Sequence, residues 1–215
     1  MLKFTAIAFI LIVGYSCSEA DYKLTYFDIR GRGEFIRFIF AAANHKFEDN
    51  RINPADWPNL KASTPFQQLP TLEIHEDSET VILAQSKAIA RFLADRFGFN
   101  GENEIERALI DMYGCQLGDL FDSTVGKNLT NQQFDTILNQ NFKFFEDRLN
   151  KNGSGFLVGG KISWADIFLS QMTEFLDKYK NMYLDKYPQV KALDEYVRDL
   201  PGVKEWIQNR PTTPF

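Results

Sequence analysis

Hydrophobic and polar residues alternate near the N-terminus. Within residues 22–27, Leu24 and Tyr26 fall on one face of an extended segment, which is the period-two pattern of a β-strand. The glycine-rich segment 30–33 then breaks the alternation. From Glu34 onward apolar residues recur at helical spacing, so the pattern predicts a strand, a turn and a buried helix.

More strands are predicted in the first half of the chain. A β-like alternation covers 47–52, and a turn-rich loop follows at 54–58, where a tryptophan between two prolines is not expected in a regular element. Two further strands are predicted at 71–75 and 80–83, and a helix opens at Ser86, which is a good N-cap residue. This order of elements indicates an α/β unit.

The β pattern stops after a cluster of glycine and asparagine. We take 99–103 as a linker, with an α/β domain at 21–98 and an all-helical domain at 104–215. The helices predicted in the second domain are 104–122, 134–149, 163–176, 190–199 and 203–208. The third of them begins with Ser163-Trp164-Ala165-Asp166, a capping box in which Asp replaces the usual Glu.

Residues 1–20 have the pattern of a secretory leader. Lys3 gives a positive start, a largely apolar run covers 4–13, and small residues follow at 16–20. This run is shorter than the about 20 apolar residues that span a membrane, which makes an uncleaved anchor the weaker alternative. We therefore predict a signal peptide, no membrane span and a secreted, extracellular protein.

Charge and composition exclude several classes of function. The chain carries 24 basic and 29 acidic side chains, and a net charge of −5 gives no broad attraction to nucleic acid. Loss of the leader leaves Cys115 as a single cysteine, so the mature chain has no disulfide framework. His45 and His75 have no cysteines at ligand spacing, and we predict no zinc site. Sequons at Asn128 and Asn152 are compatible with export and predict a glycoprotein.

Tyr26 is the strongest candidate for chemistry. A tyrosine that closes a strand just before a helix has its hydroxyl near oriented backbone N–H groups, where negative charge is favoured. Such a phenol suits the stabilisation of an anion. The alternative is an ordinary tyrosine at the edge of the core.

Three other segments are candidates for binding an extended, anionic ligand. Trp57 and Lys61 are able to share an anion, although Trp57 is equally explained as a surface aromatic residue that covers a small core. If the Leu69-Pro70 bond is cis, the backbone of Leu69 is a free edge with which a peptide can pair. The N–H groups behind Ser86 form a carboxylate site at a helix start.

The order of these motifs resembles the glutathione S-transferases, and within them the sigma class, which includes the haematopoietic prostaglandin D synthases. The resemblance covers the chain from about residue 22 to 211. It rests on the segments YKLTYFDIRGRGEFIR, RINPADWPNLK, PFQQLPTLEI, QSKAIARFLA and SWAD. It implies a thioredoxin-like N-terminal domain followed by an all-α C-terminal domain.

The resemblance also implies a role for each matched residue. Tyr26 corresponds to the catalytic tyrosine, whose hydroxyl donates to the sulfur of glutathione and favours its thiolate. Arg32 corresponds to an arginine that adds positive potential beside this tyrosine. Trp57 and Lys61 correspond to the groups that hold the glycine carboxylate of glutathione.

The remaining contacts implied by the resemblance involve the middle and the γ-glutamyl end of the tripeptide. The backbone of Leu69, before Pro70, corresponds to the edge that pairs with the cysteinyl part, and Gln68 lines that edge. Gln85 and Ser86 correspond to the pair that takes the γ-glutamyl carboxylate.

Four positions on the helix predicted at 104–122 and after it bear on subunit contacts and metal binding. Asp119 corresponds to an acid that reaches the γ-glutamyl amine of a neighbouring subunit, which implies a homodimer. The aspartates that bind magnesium in the prostaglandin synthases of this class are replaced by Cys115 and Gly118, so we predict no metal. A tryptophan of their prostanoid pocket corresponds to about Gly126, which predicts a different or more open second-substrate site.

The resemblance therefore implies a transferase that conjugates reduced glutathione to hydrophobic electrophiles, including lipid peroxidation products. Glutathione is a co-substrate in this reaction, and no cofactor is expected. Two alternatives remain open at this stage. One is a glutathione-dependent prostaglandin D synthase, and the other is a non-catalytic glutathione-binding or crystallin-like protein.

Overall fold

The computed structural model of the chain describes residues 21–76, 79–174 and 184–213. The leader predicted at 1–20 lies outside the described residues, as does the end of the helix predicted at 163–176.

One mixed four-stranded sheet occupies the first half of the described chain. Its strands are β1 (Asp21–Phe27), β2 (Glu48–Ile52), β3 (Thr71–Glu76) and β4 (Glu79–Ala84). The order across the sheet is β2-β1-β3-β4, with β1 parallel to β2 and antiparallel to β3, and β3 antiparallel to β4. A parallel β1–β2 pair needs a crossover, and the helix between the two strands supplies it.

Three helices accompany the sheet, of which the first and third were predicted from the hydrophobic periodicity. They are α1 (Gly31–Ala42), the short α2 (Trp57–Leu60) and α3 (Ser86–Phe97), with 3₁₀ turns at Lys61–Ser63 and Pro65–Gln67. The core between sheet and helices includes Leu24, Ile36 and Leu93, all fully buried. The prediction that Trp57 avoids regular structure was wrong. Trp57 opens α2, because Pro58 falls in the first turn, where its missing N–H costs no hydrogen bond.

Every regular element described after Gly98 is helical, as predicted. These helices are α4 (Glu104–Thr124), α5 (Asn131–Asn152), α6 (Trp164–Glu174), α7 (Pro188–Asp199) and α8 (Pro201–Asn209). None of the described helices combines the length and the apolar character needed to cross a membrane. A thioredoxin-like α/β half followed by a helical half confirms the predicted fold class. The exact domain limits and the linker at 99–103 stay a prediction.

Capping boxes fix the starts of two helices in the second half. The predicted box of α6 is present, since the Ser163 N–H donates to the Asp166 carboxylate at 2.8 Å and the Asp166 N–H donates to the Ser163 hydroxyl. Burial raises the pKa of Asp166 to about 6, although its hydrogen bonds oppose this shift. Sequence reasoning missed the second box, in which Thr130 and Gln133 cap α5 reciprocally.

A buried cluster of charges joins the two halves of the molecule. The carboxylate of Glu34 on α1 is fully buried and accepts hydrogen bonds from Arg37, at 3.0 Å, and from Trp206, at 2.9 Å. Arg210, just after α8, donates to Glu34 at 2.6 Å and to Glu174 of α6 at 2.7 Å. We call these five residues the α1–α8 charge cluster. It fixes the helix that follows β1 against three parts of the helical half.

Candidate functional site

Tyr26 lies near the end of β1, under the first turn of α1. Its side chain is buried, and its hydroxyl accepts a hydrogen bond from the Arg32 N–H at 3.1 Å. Two glycines permit this approach. A Cβ atom on Gly31 would lie 2.7 Å from the Tyr26 oxygen, and one on Gly33 would lie 2.6 Å from the Tyr26 ring. Gly31 also has a φ of +40°, in the region that favours glycine.

The electrostatics of the site keep the Tyr26 phenol protonated. Burial raises the pKa of Tyr26 above its ordinary value of 10.0, and the Arg32 N–H and the charges of Arg32 and Arg37 offset this only in part. Because its oxygen already accepts from Arg32, the hydroxyl proton is available for a second group. Tyr26 is therefore arranged to donate a hydrogen bond to an anion.

The guanidinium of Arg32 points from α1 to the C-terminal end of α4. It pairs closely with the carboxylate of Asp122 and lies over the ring of Phe121, 5.0 Å from its centroid. Sequence reasoning selected Arg32 but missed Asp122. Their positions are 90 residues apart in the chain, so no local pattern signals this contact.

A cleft of about 500 Å³ lies beside this pair. Seven of the predicted site residues line it, namely Arg32, Trp57, Gln68, Leu69, Pro70, Gln85 and Ser86. Four residues that were not predicted also line it, namely Phe27, Gln67, Lys87 and Asp122. Tyr26, Lys61 and Asp119 are outside this lining. Tyr26 is nevertheless bonded to the backbone of Arg32, which is one of the lining residues.

One wall of the cleft is the segment before β3. The Leu69-Pro70 bond is cis, as considered from the sequence, and Pro70 directly precedes the strand. The Gln85 amide donates to the side-chain oxygen of Gln68 at 3.0 Å, which links this wall to the start of α3.

The start of α3 forms an adjoining wall and differs from the sequence prediction. Ser86 is not the N-cap residue but the first residue of the helix, and Gln85 holds the cap position without a side-chain capping bond. Gln85 has a φ of 71° and a ψ of 108°, a conformation rarely adopted by residues other than glycine. A residue other than glycine in such a conformation beside a cleft makes the Gln85 side chain a candidate for ligand contact.

Two variants of Gln85 separate the effect of backbone strain from the effect of losing the side chain. We expect Gln85→Gly to be about 1 kcal/mol more stable towards urea than Gln85→Ala, because only glycine relieves the positive φ. Both variants lose the amide that faces the cleft, so both are expected to bind an anionic cleft ligand more weakly than the wild type. Equal stability of the two variants would show that the turn is unstrained.

Of the predicted pair Trp57 and Lys61, only Trp57 lines the cleft, near the end of β1. The ring of Trp57 meets Phe27 edge to face, with centroids 5.8 Å apart, and this contact fixes the indole beside the cleft. Lys61 begins the first 3₁₀ turn and is exposed, which leaves its ammonium group accessible to a ligand.

Lys87 lines the cleft where α3 faces α4, and Asp119 lies on α4 nearby. A Cβ atom on Gly118 would lie 2.8 Å from the Lys87 ammonium, so this glycine makes room for the lysine. Asp119 is exposed on the adjacent position of α4. Its predicted contribution to a neighbouring subunit stays a prediction.

The fold and the cleft together define a thioredoxin-like protein with a helical second half and a buried tyrosine that is bonded to the backbone of a cleft residue. Two family models match the chain. The glutathione S-transferase N-terminal domain matches residues 22–95, and the glutathione S-transferase C-terminal domain matches 120–210. The chain belongs to the glutathione S-transferase family.

Individual relatives agree with this assignment. The chain is 38% identical to glutathione S-transferase 1 of Ascaris suum over 208 residues, which cover 91% of this chain and 99% of the relative. It is also 38% identical to the hematopoietic prostaglandin D synthase of Gallus gallus over 199 residues, covering 90% and 98%.

Solved structures of relatives show the same architecture. A Nu-class glutathione S-transferase of Haemonchus contortus superposes with a TM-score of 0.81 at 36% identity, covering 92% of this chain and all of that chain. A monomeric glutathione S-transferase of the hookworm Necator americanus gives a TM-score of 0.81 at 37% identity, covering 91% and 100%.

Proposed function

We propose that this protein conjugates reduced glutathione to hydrophobic electrophiles, including lipid peroxidation products. The observation that carries the proposal is the buried, protonated Tyr26 hydroxyl, which accepts from the Arg32 N–H and has its own proton to donate. This group stabilises the glutathione thiolate, which then attacks the electrophile and forms a thioether.

The size of the required effect is modest. A free thiol has a pKa of about 8.5, so only a few per cent is ionised at neutral pH. A donor that stabilises the thiolate by ~1.4 kcal/mol lowers this pKa by about one unit. The positive potential of Arg32 acts in the same direction, although Asp122 partly offsets it. Together these groups raise the thiolate fraction of the bound thiol severalfold near neutral pH.

Residues around the cleft hold the tripeptide in our proposal. Trp57 and Lys61 bind its glycine carboxylate, and the Leu69 backbone before Pro70 pairs with the cysteinyl part. Support comes from the positions of Trp57, Leu69 and Pro70, which all line the cleft.

The γ-glutamyl end of glutathione lies at the start of α3 in this proposal. Gln85 and Ser86 receive its carboxylate at the positive end of the helix, and Gln68 lines the edge beside them. Their positions support this assignment, since all three residues line the cleft and Gln68 and Gln85 are hydrogen-bonded to each other. Ligand entry replaces that bond with contacts to glutathione.

We further propose a homodimer in which Asp119 reaches the γ-glutamyl amine bound to the partner subunit. The exposure of Asp119 supports this arrangement. Sigma-class membership and secretion are likewise proposals, supported by the motif order and by the leader at 1–20. Glutathione serves as co-substrate, and the proposal includes no cofactor and no metal.

Prostaglandin D synthesis is the second candidate activity, because a relative named for it is 38% identical to this chain. The replacement of an aromatic pocket residue by Gly126 argues for broader conjugation instead. A non-catalytic glutathione-binding or crystallin-like role is the third candidate. The complete set of charged and polar groups around the cleft argues against it.

Three measurements on the mature chain, residues 21–215, test these candidates. We expect calorimetry to detect glutathione binding, and a dinitrohalobenzene and a lipid-derived unsaturated aldehyde to be conjugated. Undetectable glutathione binding would reject the enzymatic proposals. Binding without conjugation, together with formation of the D product from prostaglandin H2, would favour the second candidate.

A further inference from the structure

The asparagines of the two N-glycosylation sequons differ in their hydrogen bonding. Asn128 lies in the irregular segment between α4 and α5, and Asn152 is the last residue of α5. The sequence motif treats these two asparagines alike. The structure distinguishes them by what each side-chain amide does in the folded chain.

The Asn152 amide is a structural group. Its Nδ2 atom lies within hydrogen-bond distance of the carbonyls of Phe156, at 2.9 Å, and Gly159, at 2.8 Å, and of the Ser154 hydroxyl, at 2.7 Å. Its oxygen accepts from Arg148 at 3.3 Å. A primary amide has only two N–H groups, so both protons of Nδ2 are already engaged.

These bonds shape the loop between α5 and α6. Arg148, which holds Asn152, also donates to the Leu157 carbonyl at 2.6 Å, and the Leu157 N–H donates to the buried Asp166 at 2.8 Å. A glycan on Asn152 would replace one N–H with a sugar carbon and leave at least one loop carbonyl without its donor. It would also place the sugar inside a network whose acceptors lie within 3 Å of the nitrogen.

The side chain of Asn128 takes part in no such network within the described residues. It is exposed, and within the described part of the chain its side chain has no hydrogen bond. The hydroxyl of its sequon partner, Thr130, caps α5 after folding, and this bond leaves the Asn128 amide unaffected. A glycan at this position requires no change in the folded structure.

We propose that Asn128 is an N-glycosylation site of the secreted protein and that Asn152 is not modified in any correctly folded molecule. The donor is an oligosaccharide linked to a lipid diphosphate. Its C1–O bond breaks and a C1–N bond forms to Nδ2 of Asn128, while the amide proton leaves with the lipid diphosphate. This inference rests on the proposed export and is independent of the catalytic proposal.

The test uses the full chain with its own leader, expressed in a eukaryotic secretory host. Protein from the medium is treated with peptide N-glycosidase, which converts a glycosylated asparagine to aspartate, and is mapped by peptide mass spectrometry. We expect conversion at Asn128 only. Asn128→Gln is expected to be secreted without a glycan and to keep the full conjugation rate. Asn152→Gln is expected to keep the glycan and to melt at a lower temperature.

Two results would overturn the inference: a glycan at Asn152 in secreted, active protein, or secreted protein with no glycan at Asn128. A second form of the chain, in which a leader of proven function replaces residues 1–20, distinguishes a failure of the native leader from a failure of glycosylation at Asn128. If only this form is secreted, the leader proposal fails while Asn128 is still tested.

Discussion

Tyr26→Phe is expected to lower kcat/KM for conjugation by ~10²- to 10³-fold, the usual cost of removing one hydrogen-bond donor from a developing or bound anion. The variant loses only the hydroxyl that Arg32 orients. The loss should therefore fall mainly on kcat, with little change in the affinity for glutathione. Ultraviolet titration of bound glutathione should show a raised thiol pKa.

Tyr22→Phe is the matched control for this experiment. Tyr22 is the other tyrosine of β1 and is also buried, but it packs against Phe40 and Phe97 in the core. We expect this control to keep the wild-type rate. If Tyr26→Phe also kept it, thiolate stabilisation by the phenol would be ruled out and the family fold would remain.

Glu34→Gln is expected to reduce the free energy of unfolding by about 3 kcal/mol, because loss of one partner leaves buried cations without compensation. The amide of the new side chain would also turn a donor toward Arg37 or Arg210. Breaking a buried ion pair costs about 3–5 kcal/mol. Arg210 still pairs with Glu174 and Arg37 with Asp49, so we expect a loss at the lower end of that range. Urea unfolding of both proteins measures the difference.

Glu102→Gln is the control, since Glu102 forms an exposed ion pair with Lys161 and its loss should leave the stability unchanged. Equal losses in the two variants would contradict a special role for the α1–α8 charge cluster.

The same cluster predicts a dependence on pH. Burial raises the pKa of Glu34, but the charge of Arg37 and the hydrogen bonds from Trp206 and Arg210 outweigh it, and the net pKa is below 4.5. A lowered carboxyl pKa contributes stability that is present above 4.5 and is lost as the pH falls through the folded value. The difference between wild type and Glu34→Gln should therefore shrink in acid. Asp166, whose raised pKa acts in the opposite direction, is common to both proteins and cancels in this comparison.

Local patterns were sufficient to predict most of the fold. The alternation around Tyr26 and the helical spacing after Glu34 reflect burial on one face, which is a property of each segment by itself. The matched family motifs then identified seven of the residues that line the cleft. Membership of the glutathione S-transferase family, expected from those motifs, is confirmed.

The missed features depend on contacts between distant segments or on fine backbone geometry. Asp122 reaches the cleft only because α4 packs beside α3 and its C-terminal end meets Arg32, which no pattern within α4 reveals. Ser86 has the composition of a cap, yet the sharp turn at Gln85 moves the helix start by one residue. For Trp57, the flanking prolines indicated a loop, but one of them is compatible with a first helical turn.

The bond between Glu34 and Arg210 spans 176 positions of the chain. During synthesis the sheet and α1 are made long before α8, so at first Glu34 has Arg37 as a partner but not yet Trp206 or Arg210. Arg210, just after α8, thus contributes to the stability of the first half. Folding of this half is expected to be completed only after α8 and Arg210 have been synthesised.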